Sequence, residues 1–144
     1  SIVGGTARDG KRLKEKFLTN TPSLRDLRER VSVASRRGYI RGLDGRRVAV
    51  RSEHAALNTL LQSAGAIVMK KALCLLDQYA TLWGLDYKFV GNIHDEIQTE
   101  VKESEVDTFG RLAVSCMEAA GQHFNLNCPL AGEYQIGDNW SETH

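Results

Sequence analysis

The chain has 144 residues, 42% of them hydrophobic and 26% charged, which suits one ordinary globular domain. No apolar run in the sequence approaches the roughly 20 residues that cross a bilayer, and the start is polar and basic after Ile2-Val3, so neither a membrane span nor a signal peptide is expected. The net charge of +1 hides an asymmetry: residues 1–51 hold 14 Lys/Arg and 5 Asp/Glu, whereas residues 52–144 hold 5 and 13. A basic first third would attract a phosphate backbone, although a solvated helix face has the same composition.

Gly4-Gly5 and Gly10 suggest a flexible start. Lys11 to Leu18 reads as a short basic helix, with Leu13 and Phe17 on one face. Thr21 then suits an N-cap and Pro22 a first helical position. Leu24, Leu27, Val31 and Ala34 keep helical spacing to about Gly38. From Tyr39 to Val50 the flanks of Asp44-Gly45 alternate, which predicts a β-hairpin.

Glu53 to Trp83 reads as one long helix ending at Gly84. It is apolar on most sides, the pattern of a helix covered by a larger body. One strip is polar: His54, Asn58 and Gln62, spaced four apart and therefore stacked on one face. Those amides could meet a ligand or could be buried and bonded to backbone.

Asp86–Ile93 and Ile97–Val101 read as the strands of a second hairpin, with His94-Asp95-Glu96 at its tip. Glu103 to Phe124 reads as an amphipathic helix with Val106, Phe109, Ala113, Cys116, Met117, Ala120 and Phe124 inward. Cys128 to Ile136 reads as a last strand, and Gly137-Asp138-Asn139-Trp140 closes the chain. This order gives an α+β fold with an antiparallel sheet and packed helices.

Cys74, Cys116 and Cys128 form no CxxC pair, so a zinc site is not expected. Free thiols in a reducing cytoplasm are, with Cys74 and Cys116 as core filler. Asp95 and Glu96 could hold a hard cation such as Mg²⁺, which takes oxygen ligands; Asp also favours turns for local reasons. Two adjacent carboxylates do not complete a two-metal site, which draws ligands from separate elements. His94 could be a base, a ligand or a hydrogen-bond donor.

Several stretches together resemble the C-terminal palm of family A, polymerase I-like, DNA polymerases. Gly42-Leu43-Asp44-Gly45-Arg46-Arg47 and Arg51-Ser52-Glu53-His54 through Gln62-Ser63-Ala64-Gly65-Ala66 resemble the palm hairpin and the long helix after it. Ile93-His94-Asp95-Glu96 resembles motif C. Ile2-Val3-Gly4-Gly5 through Asn20-Thr21-Pro22 resembles the segment after the fingers helix, and Gly137-Asp138-Asn139-Trp140 with His144 resembles the family's ending. Leu61-Gln62-Ser63-Ala64-Gly65-Ala66 is most similar to the phage replicative branch.

The resemblance covers essentially the whole chain in order, and what it implies is specific. Residues 1–38 would be helices that follow the fingers and 39–144 palm, together an incomplete part of a polymerase domain. Asp95 would ligate catalytic Mg²⁺, Glu96 would tune the geometry beside it, and His94 would lie near the primer terminus. Asn58 and Gln62 would contact the minor groove, whose acceptors are nearly sequence-blind. Arg51 and the basic helices would hold phosphates. Primer-template DNA, deoxynucleoside triphosphates and an upstream segment would be the partners, in the cytoplasm, or the host cytoplasm for a phage protein. Motif A with its metal-binding aspartate and the fingers helix have no counterpart in the sequence, so the fragment alone would be inactive. Two rivals are a DNA-binding or assembly module that has lost chemistry, and a metal-dependent nuclease needing more carboxylates near Asp95.

Overall fold

A computed structural model describes residues 4–143; Ser1, Ile2, Val3 and His144, which bound the family-like start and end, lie outside the described residues. The chain divides into two compact units. One runs to Arg41 and resumes over Arg47–Leu61; the other is Gly42–Arg46 with everything from Gln62 onward.

In the first unit, helix α1 spans Ala7–Asn20. It starts earlier than expected because Thr6 and Asp9 close a capping box. The Thr6 hydroxyl accepts the Asp9 N–H at 3.3 Å, and the Asp9 carboxylate accepts the Thr6 N–H at 3.0 Å. The Thr6 hydroxyl also donates to Asp9 Oδ2 at 2.7 Å, and this bond, followed by the one from the Thr6 backbone, holds the Asp9 carboxyl below its ordinary pKa. Helix α2 spans Pro22–Ser35 with Pro22 in its first turn. Thr21 precedes it as expected, but its hydroxyl donates back to the Phe17 carbonyl at 2.7 Å instead of capping α2.

Strands β1 (Tyr39–Arg41) and β2 (Arg47–Ala49) then pair antiparallel, with Ile40 opposite Val48. Ile40 is buried with Val31 and Ala56, and Leu27, Val48 and Leu60 pack against them. The turn expected at Asp44-Gly45 is present: Gly45 has φ +82°, and Asp44 takes both Nε and Nη2 of Arg46 at 2.6 Å.

A 3-10 turn over Glu53–Ala55 leads into helix α3, Ala56–Leu82, which contributes its first residues to the first unit and the rest to the second. α3 ends in a Schellman motif. Leu85 N–H bonds to the Ala80 carbonyl and Gly84 N–H to that of Thr81, with Gly84 at φ +69°. By length and composition the helical stretch Glu53–Leu82 would suit a bilayer, contrary to the expectation that no such run exists. Its buried positions Val68, Ala72, Leu76 and Ala80 pack in the core of the second unit, although only 28% of the apolar window is buried.

Strands β3 (Tyr87–Ile93) and β4 (Glu96–Val101) form the second hairpin, with a bulge at Val90, the one residue between the Phe89–Thr99 and Gly91–Gln98 pairs. A 3-10 turn over Glu103–Glu105 precedes helix α4, Val106–His123. Leu76 and Ala80 of α3 meet Phe109, Leu112 and Cys116 of α4, and Tyr87, Phe89 and Val101 of the hairpin pack on the same cluster. α4 ends in a second Schellman motif, with Asn125 at φ +50° in the place glycine usually takes.

The expectations for Cys128–Ile136 and for Cys74 fail in this unit. Cys128–Ile136 is not a strand among the described residues. An extended run becomes a strand only when a neighbour completes its ladder, and this one lies on α4 instead. Leu130 sits over Gly121, and a β-carbon on Gly110 would stand 2.3 Å from the Tyr134 ring. Cys74 is exposed and not core, because the buried face of α3 runs through Ala72 and Leu76 on either side of it; Cys116 is buried as expected.

Candidate active site

The β3–β4 hairpin carries the candidate carboxylates. Its last pair is Ile93 with Glu96, so the loop is only His94-Asp95 and Glu96 stands on the strand, not at the tip as expected. A two-residue loop needs positive φ to match the strand twist, and it is His94 that supplies it, at +55°. Glycine is the usual occupant of such a position; for histidine the conformation costs on the order of 1 kcal/mol.

The two carboxylates differ in how they are held. Asp95 is exposed, and its side chain makes no hydrogen bond or ion pair among the described residues. Glu96 is half-buried and anchored. Its Oε1 accepts the indole N–H of Trp140 at 3.1 Å and also a bond from the Gln98 amide. Glu96 and Gln98 stand two apart on β4 and so share one face. Thr143 Oγ1 lies 3.4 Å from Gln98 Oε1.

The tail that brings Trp140 and Thr143 there is a 3-10 turn, Trp140–Glu142. Its shape is fixed by Glu142, whose carboxylate accepts the Asp138 N–H at 2.9 Å and the Asn139 amide at 2.6 Å. The sequence reading missed this convergence, because Trp140 and Glu96 are 44 residues apart.

Asn58 and Gln62 lie one turn apart on α3, and both are exposed. Within this chain neither amide is buried. Both present hydrogen-bonding groups to whatever approaches that face. Arg51 is exposed in the bend after β2. Nearby in the same unit, Arg37 and Arg47 each stack on the Tyr39 ring, at 5.0 and 4.8 Å from its centre.

The hairpin therefore brings His94, Asp95 and Glu96 together, and α3 places Asn58 and Gln62 on one face. Among the described residues no group of three or more His, Cys, Asp or Glu could hold a metal. Asp95 and Glu96 are hard oxygen donors that fit a cation such as Mg²⁺ as part of a ligand set, not the whole. A groove of about 410 Å³ elsewhere in the second unit, lined by Tyr79, Trp83, Thr108, Arg111, Ser115 and neighbours, includes none of the candidate residues.

Comparison with known proteins agrees along the chain. The sequence matches the profile of DNA polymerase family A over residues 4–142. It is 40% identical to the DNA-directed DNA polymerase of Enterobacteria phage T3, over 99% of this chain and 23% of that protein. It is 38% identical to the corresponding enzyme of Escherichia phage Phieco32, over 100% of this chain and 25% of that one. Among solved structures, the POL domain of Pol1 from M. smegmatis, in complex with DNA primer-template and dNTP, superposes with a TM-score of 0.73 at 26% identity, covering 80% of this chain and 23% of that one. The chain spans about a quarter of the length of these relatives.

Proposed function

The chain belongs to DNA polymerase family A, and we propose that it forms the C-terminal part of a template-directed DNA polymerase that adds deoxynucleotides to a primer 3′ end. The observation that carries this reading is the two-residue hairpin tip. An exposed Asp95 without a side-chain partner among the described residues stands beside an anchored Glu96, within a sequence similar to phage polymerases from end to end.

In this reading Asp95 binds Mg²⁺, with Glu96 beside it. Bound there, a pair of such ions supplies activation of the 3′ hydroxyl and neutralises charge on the leaving pyrophosphate. Ligands from a separate element are required, and an upstream segment brings them, including the first metal-binding aspartate and the fingers. Residues 1–38 are the helices after those fingers and residues 39–144 belong to the palm. The exposed amides of Asn58 and Gln62 donate to minor-groove acceptors, which every base pair presents. His94 lies near the primer terminus, and Arg51 and the basic first third hold phosphates. The work is done in the cytoplasm, of the host if a phage encodes the protein.

The test is primer extension by this chain alone, by an upstream polymerase segment alone, and by the two together or fused. Extension only when both are present is the expected result. Extension by this chain alone, or by neither arrangement despite folded proteins that bind primer-template, overturns the reading.

A further inference from the structure

We infer that Trp140 is a positioning residue for Glu96, and that the C-terminal turn serves to fix one of the two hairpin carboxylates while the other stays available to a ligand; this rests on the reading of Glu96 given above. The asymmetry at the tip carries the argument. Asp95 has no side-chain partner among the described residues, yet its neighbour receives two donors on one oxygen, from Trp140 and from Gln98. An indole N–H only donates and an ionised carboxylate only accepts, so this bond has one polarity. Bonds to an ionised acceptor are also stronger than neutral ones.

The second donor is oriented in its turn. With Thr143 near its carbonyl oxygen, the Gln98 amide presents its NH₂ to Glu96. The reverse orientation would set a carbonyl oxygen against a carboxylate. The tail that supplies Trp140 and Thr143 holds its own shape through Glu142 and the Asn139–Ser141 contact at 2.5 Å.

Packing does not explain the indole. Trp140 is 51% exposed and belongs to none of the buried clusters. A phenylalanine would keep an aromatic ring there but would lack a donor. What tryptophan adds is the N–H, and the N–H goes to Glu96.

The experiment is a double-mutant cycle in the complete polymerase, with W140F, E96Q and the pair, read by single-turnover incorporation and by the ¹⁵N–¹H indole resonance assigned through its loss in W140F. On this inference W140F lowers the incorporation rate by about tenfold, the weight of one charge-assisted hydrogen bond, and leaves the KM for nucleotide within about twofold. On the E96Q background the same substitution has a clearly smaller effect, because the amide oxygen that remains is an uncharged and weaker acceptor. The Trp140 resonance moves in E96Q and stays in D95N.

A wild-type rate in E96Q overturns the reading of Glu96 and this inference with it. A slow E96Q with a wild-type W140F overturns the inference alone. So does an undiminished W140F effect on the E96Q background, which would send Trp140 through another contact. If W140F fails to fold, the indole resonance, assigned instead by through-bond connectivity to the Trp140 backbone, decides in E96Q: unmoved, it overturns the inference; moved, it upholds it.

Discussion

Asp95→Asn separates chemistry from fold more cleanly than any other substitution in this chain. The side chain is exposed and makes no hydrogen bond or ion pair among the described residues, so no contact is lost. Asn is as acceptable as Asp in a turn. Exposed substitutions of this kind stay within about 0.5 kcal/mol, which is about 2 °C or less in melting temperature for a domain of this size. The rate should respond very differently. Asn keeps the size of Asp and one acceptor oxygen but lacks the anion that binds a hard cation. Removing a preorganised electrostatic group from a reacting centre commonly costs about 10²–10³ in rate. The assay is primer extension by the complete enzyme with Mg²⁺ and again with Mn²⁺, beside a melting curve and a primer-template titration. Extension within a few-fold of wild type, with either ion, would falsify the assignment of this hairpin. Loss of extension with unchanged melting and DNA affinity is the expected result.

Further substitutions test other parts of the argument. Gln62→Ala should slow extension from a paired terminus by several-fold and leave the melting temperature unchanged, because the amide is exposed on α3; a lower melting point with full turnover would return it to a structural role. The Thr99 hydroxyl is buried without a partner among the described residues, so Thr99→Val should stabilise the chain by about 1 kcal/mol, read by denaturant midpoint; destabilisation would mean that an upstream segment supplies the missing partner. Gly110→Ala would set a β-carbon 2.3 Å from the Tyr134 ring and should cost about 1–3 kcal/mol by displacing residues 128–136 from α4, visible as earlier proteolysis of that segment. Burial pushes the Cys116 thiol above its ordinary pKa, whereas Cys74 and Cys128 are exposed. A thiol reagent at pH 8 should therefore label those two in the native chain and Cys116 only on unfolding; three equally fast thiols would contradict the packing of α3 on α4.

The parts of the fold that were legible in the sequence are those set by near neighbours. Pro22, Asp44-Gly45 and Gly84 mark helix and turn boundaries through their own backbone chemistry, and each stands where expected. The 3.6-residue spacing found Phe109, Cys116 and Ala120 on the buried face of α4 but not Leu112. The start of α1 was missed although Thr6 and Asp9 have capping-box spacing, since Gly4, Gly5 and Gly10 argued for a loose segment. The strand expected at Cys128–Ile136 failed because a ladder partner is a property of the rest of the molecule. The site divides in the same way. His94, Asp95 and Glu96 were legible because they are contiguous, whereas the hold of Trp140 on Glu96 depends on where a tail folds back.

The hairpin tip also explains why a strained residue is tolerated there. A glycine at position 94 would take φ +55° at little cost, whereas a histidine pays on the order of 1 kcal/mol for it. The strand pairing from Tyr87–Val101 up to Ile93–Glu96 and the anchoring of Glu96 by Trp140 and Gln98 hold the loop in that conformation. Strain that the surroundings maintain is found where a side chain must be presented. At this tip the consequence is local: the backbone that strains His94 is the same backbone that sets Asp95 out into solvent and Glu96 back onto the strand. Two carboxylates adjacent in sequence are thereby held differently by geometry alone: Asp95 is exposed without a side-chain partner among the described residues, and Glu96 is bonded in place beside it.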